Sequence, residues 1–252
     1  MNPRRWIGTT LLIVVSAVSL LVIATVALAR GLDDATGEQL AQIVQGGVLY
    51  DSWYKVIKVD PPKETHPAYA KTKGKQKGSG TWRCKECHGW DYQGKDGAYS
   101  KGSHFSGIAG IRAAAGKSAA AIVTSLKGPD HALGGRIMDA DLNAIAAFVL
   151  QGQLVVDEVI DRGSKKAKGD AARGARVYTT VCGKCHGVDG KKINFGDEKE
   201  PEYVGTVAAD NPWETLHKIR FGQPDKEMPA LIAFPVQVQV DVLAYAQTLP
   251  GK

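Results

Sequence analysis

Two short stretches of the chain hold two cysteines and a histidine at the same spacing. The stretches are CKECH, residues 84–88, and CGKCH, residues 182–186. Cysteines at positions i and i+3 lie about one helical turn apart, so both thiols can reach one flat ligand. The histidine that follows can turn a ring nitrogen onto a metal ion at the centre of that ligand. This pattern is typical of covalent haem attachment. The four cysteines of the chain, all within these motifs, are Cys84, Cys87, Cys182 and Cys185.

Other uses of paired cysteines fit the sequence less well. Two disulfides would leave His88 and His186 unexplained. A zinc ribbon usually brings its cysteine pairs within about 20 residues, whereas Cys87 and Cys182 lie 95 positions apart. A thioredoxin-like motif needs a βαβ pattern, which is missing here. We therefore predict two covalently bound haems c, each with an iron ion.

The first thirty residues predict export. MNPRR is basic, and residues 6–29 then run without a charge. About 20 apolar residues cross a hydrocarbon core, so Ile7–Ala29 is long enough to span a membrane. Arg4 and Arg5 place the preceding end in the cytoplasm. We predict a single-pass anchor in the inner (cytoplasmic) membrane with the rest of the chain in the periplasm. A signal peptide cleaved after Ala29 is the alternative.

The rest of the chain is an internal duplication. Helical patterns at 33–56, 117–128 and 139–152 have counterparts at 169–187, 211–222 and 238–249. Tyr178 lies 4 positions before its motif, whereas its counterpart Tyr50 lies 34 before Cys84, so the first copy carries an insertion of 30 residues. This insertion includes the Lys-rich region 55–80, which is called the Lys-rich insertion below. The predicted divisions are an anchor at 1–32, a first domain at 33–155, a linker at 156–168 and a second domain at 169–252.

Each half resembles a class I cytochrome c domain. The resemblance rests on CxxCH behind a Gly-x-x-x-Tyr helix and, in the second half, on the loop DKEMPALIAF. It covers residues 33–252 apart from the insertion. It implies an all-α fold in which the first and last helices of each domain cross beside the haem. It also implies that His88 and His186 are the proximal iron ligands and that Met228 is the distal ligand of the second haem.

The repeat predicts a histidine as the distal ligand of the first haem. Aligning the last helices of the two halves without gaps places Phe148 on Tyr245. Met228 lies 17 positions before Tyr245, and His131 lies 17 positions before Phe148. The first haem would then depart from the His/Met pattern of the family.

Met138 is the alternative distal ligand of the first haem. It lies 50 positions after His88, whereas His131 lies 43 after it, and the second pair of ligands is 42 apart. Met138 also lies directly before the start of a predicted helix. A distal ligand must project from a loop, so this position is unfavourable for one. His66 and His104 are weaker candidates.

The predicted function is electron transfer rather than catalysis. A methionine ligand raises the reduction potential of haem iron, whereas a second imidazole leaves it lower. We expect electrons to pass from a low-potential first haem to a higher-potential second haem, linking a membrane or periplasmic oxidoreductase to an acceptor. The alternatives are a haem subunit of a larger respiratory or dehydrogenase complex and a dihaem peroxidase-like enzyme.

The amino-acid composition argues against some other classes of function, such as nucleic-acid binding. The chain is 44% hydrophobic and 23% charged, which is typical of a globular protein, and its net charge of +6 is mild. Aromatic residues do not alternate with the lysines, so nucleic-acid binding is not expected. The insertion predicts an exposed loop that is either solvated or docks an acidic redox partner. We expect Trp82, Trp90 and Tyr92 to pack against the haem edge and His217 to be an ordinary helix residue.

Overall fold

A computed structural model describes residues 35–251 of the chain. The predicted anchor, Ile7–Ala29, lies outside the described residues. Among the described helices, none has both the length and the apolar character needed to cross a membrane. Residues 35–251 form helices joined by loops and, apart from two isolated β-bridges, no strand. The described part of the chain is thus helical, as predicted.

The helices follow the predicted order. The α-helices are α1 Gly37–Val56, α2 Pro67–Ala70, α3 Cys84–His88, α4 Ala119–Lys127, α5 Asp139–Ala147, α6 Val156–Val159, α7 Ala171–Val177, α8 Gly183–His186, α9 Val204–Asp210, α10 Pro212–Phe221 and α11 Val236–Ala246. A π-helical turn extends α5 over Phe148–Gly152, and another joins α7 to α8 over Tyr178–Cys182. Short 3-10 turns span Gly78–Trp82 and Ile111–Ala114.

Side-chain caps start several of these helices. The Ser118 hydroxyl accepts a hydrogen bond from the Ala121 N–H at the start of α4, at 3.2 Å. The Asp170 carboxylate accepts one from the Arg173 N–H at the start of α7, at 3.0 Å. Serine and aspartate are favoured at such positions because the first amides of a helix have no partner within it. The local sequence therefore fixes where the helices that follow begin.

A close helix crossing occurs at equivalent positions of the two halves. Gly46 in α1 lies against the carbonyl group of Ala144 in α5, and Gly174 in α7 lies against that of Asp241 in α11. A side chain at either glycine would collide with that carbonyl oxygen. Gly46 and Gly174 each lie four positions before the paired tyrosines, and the gap-free alignment of the last helices places Ala144 on Asp241. The two crossings agree with that alignment.

The two halves share one buried core. From Ala41 onward the chain forms one compact unit. The ring of Phe221 in α10 packs against Gly47 in α1, and it meets the ring of Phe148 edge-on at 5.2 Å between centroids. Arg220, which is 1% exposed, donates a hydrogen bond to the Gly152 carbonyl oxygen at 2.9 Å. The predicted domains therefore lie in direct contact.

The predicted linker, 156–168, packs on this core. It contains α6, and the side chains of Val156 and Ile160 are buried. Arg162 forms a salt bridge of 2.8 Å with the buried Asp91. These contacts join the linker to residues that follow the first CxxCH motif.

Candidate haem-binding sites

A cavity of about 350 Å³ lies beside the first CxxCH motif. Its lining includes Cys84, Cys87 and His88 from α3 and His131 from the loop after α4. The apolar lining residues include Ile108, Ile111, Leu126, Leu133, Ile145 and Val149. Its volume falls in the range of about 300–1,000 Å³ that is usual for cofactor sites. The structure thus brings the predicted ligands of the first haem to one apolar cavity.

The imidazole rings of His88 and His131 have the spacing of two ligands that share one metal ion. Their centroids lie 6.1 Å apart, and the ring planes are inclined by 24°. A metal–imidazole bond of about 2 Å on each side, with about 1 Å from each nitrogen to its ring centroid, gives about 6 Å in total. The separation of the two rings therefore matches that of two imidazole ligands of one iron ion.

In each of these two rings, one nitrogen forms a hydrogen bond and the other is left for a metal ion. His88 Nδ1 donates to the Ala109 carbonyl oxygen at 2.6 Å, and His131 Nδ1 donates to the Ser125 carbonyl oxygen at 3.0 Å. A carbonyl oxygen only accepts, so each Nδ1 carries the hydrogen and each neutral ring keeps its lone pair on Nε2. Neither Nε2 has a hydrogen-bond partner among residues 35–251. Metal-binding histidines are commonly oriented in this way.

The protonation states also suit haem binding. Burial lowers the pKa of His88 to about 4 and lowers that of His131, so both rings are neutral at pH 7. None of the four cysteines is paired in a disulfide, so all four sulfur atoms remain for thioether attachment. Within the described residues there is no group of three or more His, Cys, Asp or Glu side chains that would bind a metal ion unaided.

The other candidate ligands of the first haem are placed differently. Met138 is 76% exposed at the start of α5 and does not line the cavity. His66 lines the cavity, but both of its ring nitrogens are engaged in hydrogen bonds. His104 bonds to the Glu86 carboxylate at 2.8 Å and is not among the lining residues.

The second CxxCH motif is more open to solvent. Cys182 and His186 are half-buried and Cys185 is exposed. His186 Nδ1 is buried, yet it has no hydrogen-bond partner in the described part of the chain. Burial lowers the pKa of His186, so its ring is neutral at pH 7. A buried, unpaired ring nitrogen fits a histidine that is completed by a further group.

Met228 lies in the loop between α10 and α11 and is half-buried. Gly222 ends α10 with a φ angle of +88°, and a Cβ atom there would lie 2.6 Å from the Met228 carbonyl oxygen. Glycine is therefore needed where the chain turns towards Met228. Phe195, whose ring centroid lies 5.9 Å from that of His186, is 46% exposed. A flat apolar ligand bound at His186 would cover the exposed ring of Phe195.

A matched tyrosine contact supports both motifs. The Tyr50 hydroxyl donates to the Gly89 carbonyl oxygen at 2.6 Å, and the Tyr178 hydroxyl donates to that of Gly187 at 3.1 Å. Both glycines end the short helix that carries the histidine, with φ angles of +76° and +82°. The tyrosines that the sequence aligned thus make the same contact despite the insertion in the first half.

Asp51 is a buried charge that the sequence analysis did not single out. It is 1% exposed and forms salt bridges with Arg83, directly before Cys84, and with Lys218 in α10 at 2.7 Å. Burial alone would raise the pKa of Asp51, but Lys218 and Arg83 hold it at about 2. The one signal in the sequence is an acidic residue among the apolar residues of α1. Asp51 ties the first motif to the second half.

His217 is in a helix, as predicted, but it also joins the two halves. Its Nε2 donates to the Gly47 carbonyl oxygen at 3.0 Å, and its Nδ1 accepts from the Tyr92 hydroxyl at 2.9 Å. Burial lowers the pKa of His217 to about 3. Trp90 and Tyr92, which were expected at the haem edge, both contact His217 and are not among the lining residues of the first cavity. Trp82 does line the cavity.

Comparison with known proteins finds a similarity in the second half. Residues 169–244 match the family model described as cytochrome c oxidase, cbb3-type, subunit III. The matched segment contains the second CxxCH motif and Met228, and it supports a c-type cytochrome. A cytochrome c domain implies covalently attached haem c with iron and fits haem-based electron transfer. No curated protein and no solved structure matched the chain.

Proposed function

We propose that the protein is a membrane-anchored dihaem c-type cytochrome that carries electrons in the periplasm. The observation that carries this proposal is the pair of His88 and His131, 6.1 Å apart between ring centroids, at the cavity beside Cys84 and Cys87. A haem with two imidazole ligands requires such a pair.

The proposed ligand sets use the residues predicted from the sequence. In the first site, Cys84 and Cys87 hold the haem and His88 and His131 bind its iron. In the second site, the corresponding residues are Cys182, Cys185, His186 and Met228. A haem bound in this way supplies reversible one-electron chemistry at iron. The chain orients the histidines of the first site through backbone carbonyl groups, and the apolar lining residues exclude water.

The two ligand sets predict different reduction potentials. A methionine thioether raises the potential of haem iron relative to a second imidazole. Electrons therefore pass from the first haem to the second. The buried core between α1 and α10 holds the two halves in a fixed relative position, so the distance between the two proposed haems is fixed as well.

The Lys-rich insertion supports a docking role for the first site. Residues 55–80 contain seven lysines, all exposed, and two acidic residues, giving a net charge of +5 out of +6 for the whole chain. His66 and Ala68 of this segment line the first cavity. Complementary charge raises the rate at which proteins meet. We propose that an acidic redox partner docks here.

A second candidate function is that of a haem subunit in a larger complex. The family model that matches residues 169–244 describes a subunit of an oxidase. Purification from native membranes under mild detergent separates the two. A carrier elutes alone, whereas a subunit elutes with a stable set of other chains.

The intact mass of the holoprotein tests the proposal. We expect the mass of the chain plus two haems. Replacing Cys84 and Cys87 by alanine should remove one haem, and replacing Cys182 and Cys185 should remove the other. A chain that carries a single haem, or none, would overturn the proposal.

A further inference from the structure

We infer that His66, supplied by the Lys-rich insertion, is a positioning residue that holds His131 at the first haem. This inference rests on the proposed function, because it takes His131 as the distal ligand. It links two features that distinguish the first half from the second, namely the insertion and the histidine in place of methionine.

The imidazole of His66 donates a hydrogen bond to the backbone of His131. Its Nε2 lies 2.9 Å from the His131 carbonyl oxygen. Its Nδ1 accepts from the Ala68 N–H at 3.2 Å. Since Nδ1 accepts and a carbonyl oxygen only accepts, Nε2 carries a hydrogen and donates it to the His131 carbonyl oxygen. The whole residue is only 7% exposed.

Thr81 and Trp82, which lie directly before α3, hold His66 and the neighbouring part of the insertion in place. The His66 N–H donates to the Thr81 hydroxyl at 2.9 Å. The His66 ring meets Trp82 edge-on, at 4.3 Å between centroids. The Trp82 indole N–H donates to the Glu64 carbonyl oxygen at 2.8 Å. The insertion is therefore anchored on the segment that leads into Cys84.

The loop that carries His131 needs such support. Ala132, the next residue, has a φ angle of +53°, a conformation that costs a non-glycine residue on the order of 1 kcal/mol. Arg136 donates to the Ala132 carbonyl oxygen at 3.1 Å and stacks over the Trp82 ring at 4.8 Å. His66 and Trp82 thus contact this loop at two points.

The second half uses a different means of support. Met228 is followed by Pro229, whose ring restricts the backbone directly. His131 is followed by alanine, so the first loop lacks that restriction. The His66 hydrogen bond replaces it, and it keeps His131 at the cavity while Met138, seven positions later, stays exposed.

The test compares His66→Phe with His66→Gln in the full-length holoprotein. Phenylalanine keeps the ring against Trp82 but donates no hydrogen bond. Glutamine retains a donor for the His131 carbonyl oxygen and an acceptor for the Ala68 N–H. The readouts are the EPR signal of the first ferric haem and its affinity for cyanide, which competes with His131. The second haem in the same molecule is the internal control.

We expect His66→Phe to raise the cyanide affinity of the first haem roughly tenfold, the equivalent of one lost hydrogen bond, and His66→Gln to restore it. Thr81→Val, a milder change, should shift it in the same direction. Wild-type cyanide affinity in both His66→Phe and Thr81→Val would overturn the role of His66 and leave the bis-imidazole haem intact. A wild-type protein without a bis-imidazole EPR signal would overturn the proposed ligand set, and this inference with it.

Discussion

The imidazole rings of His88 and His131 lie at one cavity with their centroids 6.1 Å apart, although 43 positions separate them in the sequence. Each ring gives its Nδ1 hydrogen to a backbone carbonyl group. Each keeps Nε2 unpaired within the described residues. Two neutral rings with this separation and with Nε2 left unpaired match the requirements of two imidazole ligands of a single iron ion.

Replacing His131 should change the first haem alone. We expect His131→Ala to convert it from a low-spin to a high-spin ferric haem, because no other described ligand at the cavity has a free nitrogen. Met138→Leu should leave the EPR spectrum unchanged, since Met138 is 76% exposed. Loss of a low-spin signal in Met138→Leu, with no change in His131→Ala, would show that the methionine is the ligand.

Replacing Asp51 should destabilise the protein strongly. Asp51→Asn leaves Arg83 and Lys218 without their shared partner in a buried place, and breaking a buried ion pair costs about 3–5 kcal/mol. Urea denaturation of the holoprotein measures the free energy of unfolding. The matched control is Asp225→Asn, which removes an exposed 4.0 Å pair with Lys58 and should cost less than about 1 kcal/mol. An equal decrease in the free energy of unfolding in the two variants would contradict a stabilising role for the buried Asp51 carboxylate.

His217 makes stability depend on pH. Its folded pKa of about 3 lies below the ordinary value of 6.5, so only the unfolded chain takes up a proton as the pH falls through this window. Between pH 6.5 and 4.5 the free energy of unfolding should fall by roughly 2–3 kcal/mol on account of this group.

The variant His217→Gln isolates this contribution. Glutamine can accept from the Tyr92 hydroxyl and donate to the Gly47 carbonyl oxygen, but it does not titrate. Chemical denaturation across this pH range should therefore show a shallower slope for the variant. Identical slopes for both proteins would indicate that His217 is not buried in its neutral form.

Neutralising the insertion should slow electron transfer with an acidic partner. We expect replacement of Lys71, Lys73, Lys75 and Lys77 by glutamine to lower the second-order rate constant at low ionic strength, with the difference disappearing at high salt. Stopped-flow reduction of the protein by an acidic electron donor measures it. The same change at Lys184, Lys192, Lys199 and Lys226, which are exposed in the second half, is the control. An equal effect of both sets would contradict docking at the insertion.

The helical pattern and the duplication could be read from the sequence because they rest on local signals. Capping residues such as Ser118 and Asp170 act on amides three positions away. The repeat also aligned Gly46 with Gly174 and Tyr50 with Tyr178, and the structure gives each pair equivalent contacts. His131 was predicted from the same alignment, and it lies at the cavity beside His88.

Contacts between the two halves could not be read in this way. Lys218 and His217 look like ordinary residues of α10, since their partners Asp51 and Gly47 lie some 170 positions earlier. Nothing in the spacing of Trp90 and Tyr92 shows that they pack on His217 rather than on the cavity. Such contacts depend on how helices from both halves come together, and a one-dimensional pattern does not encode that arrangement.

Low-temperature EPR combined with a redox titration of the holoprotein tests the central claim most directly. We predict two low-spin ferric haems per chain, one with two imidazole ligands at the lower potential and one with histidine and methionine ligands at the higher potential. The red absorption band of methionine–iron bonding should count one per chain. Two high, nearly equal potentials with two such bands per chain would contradict the account.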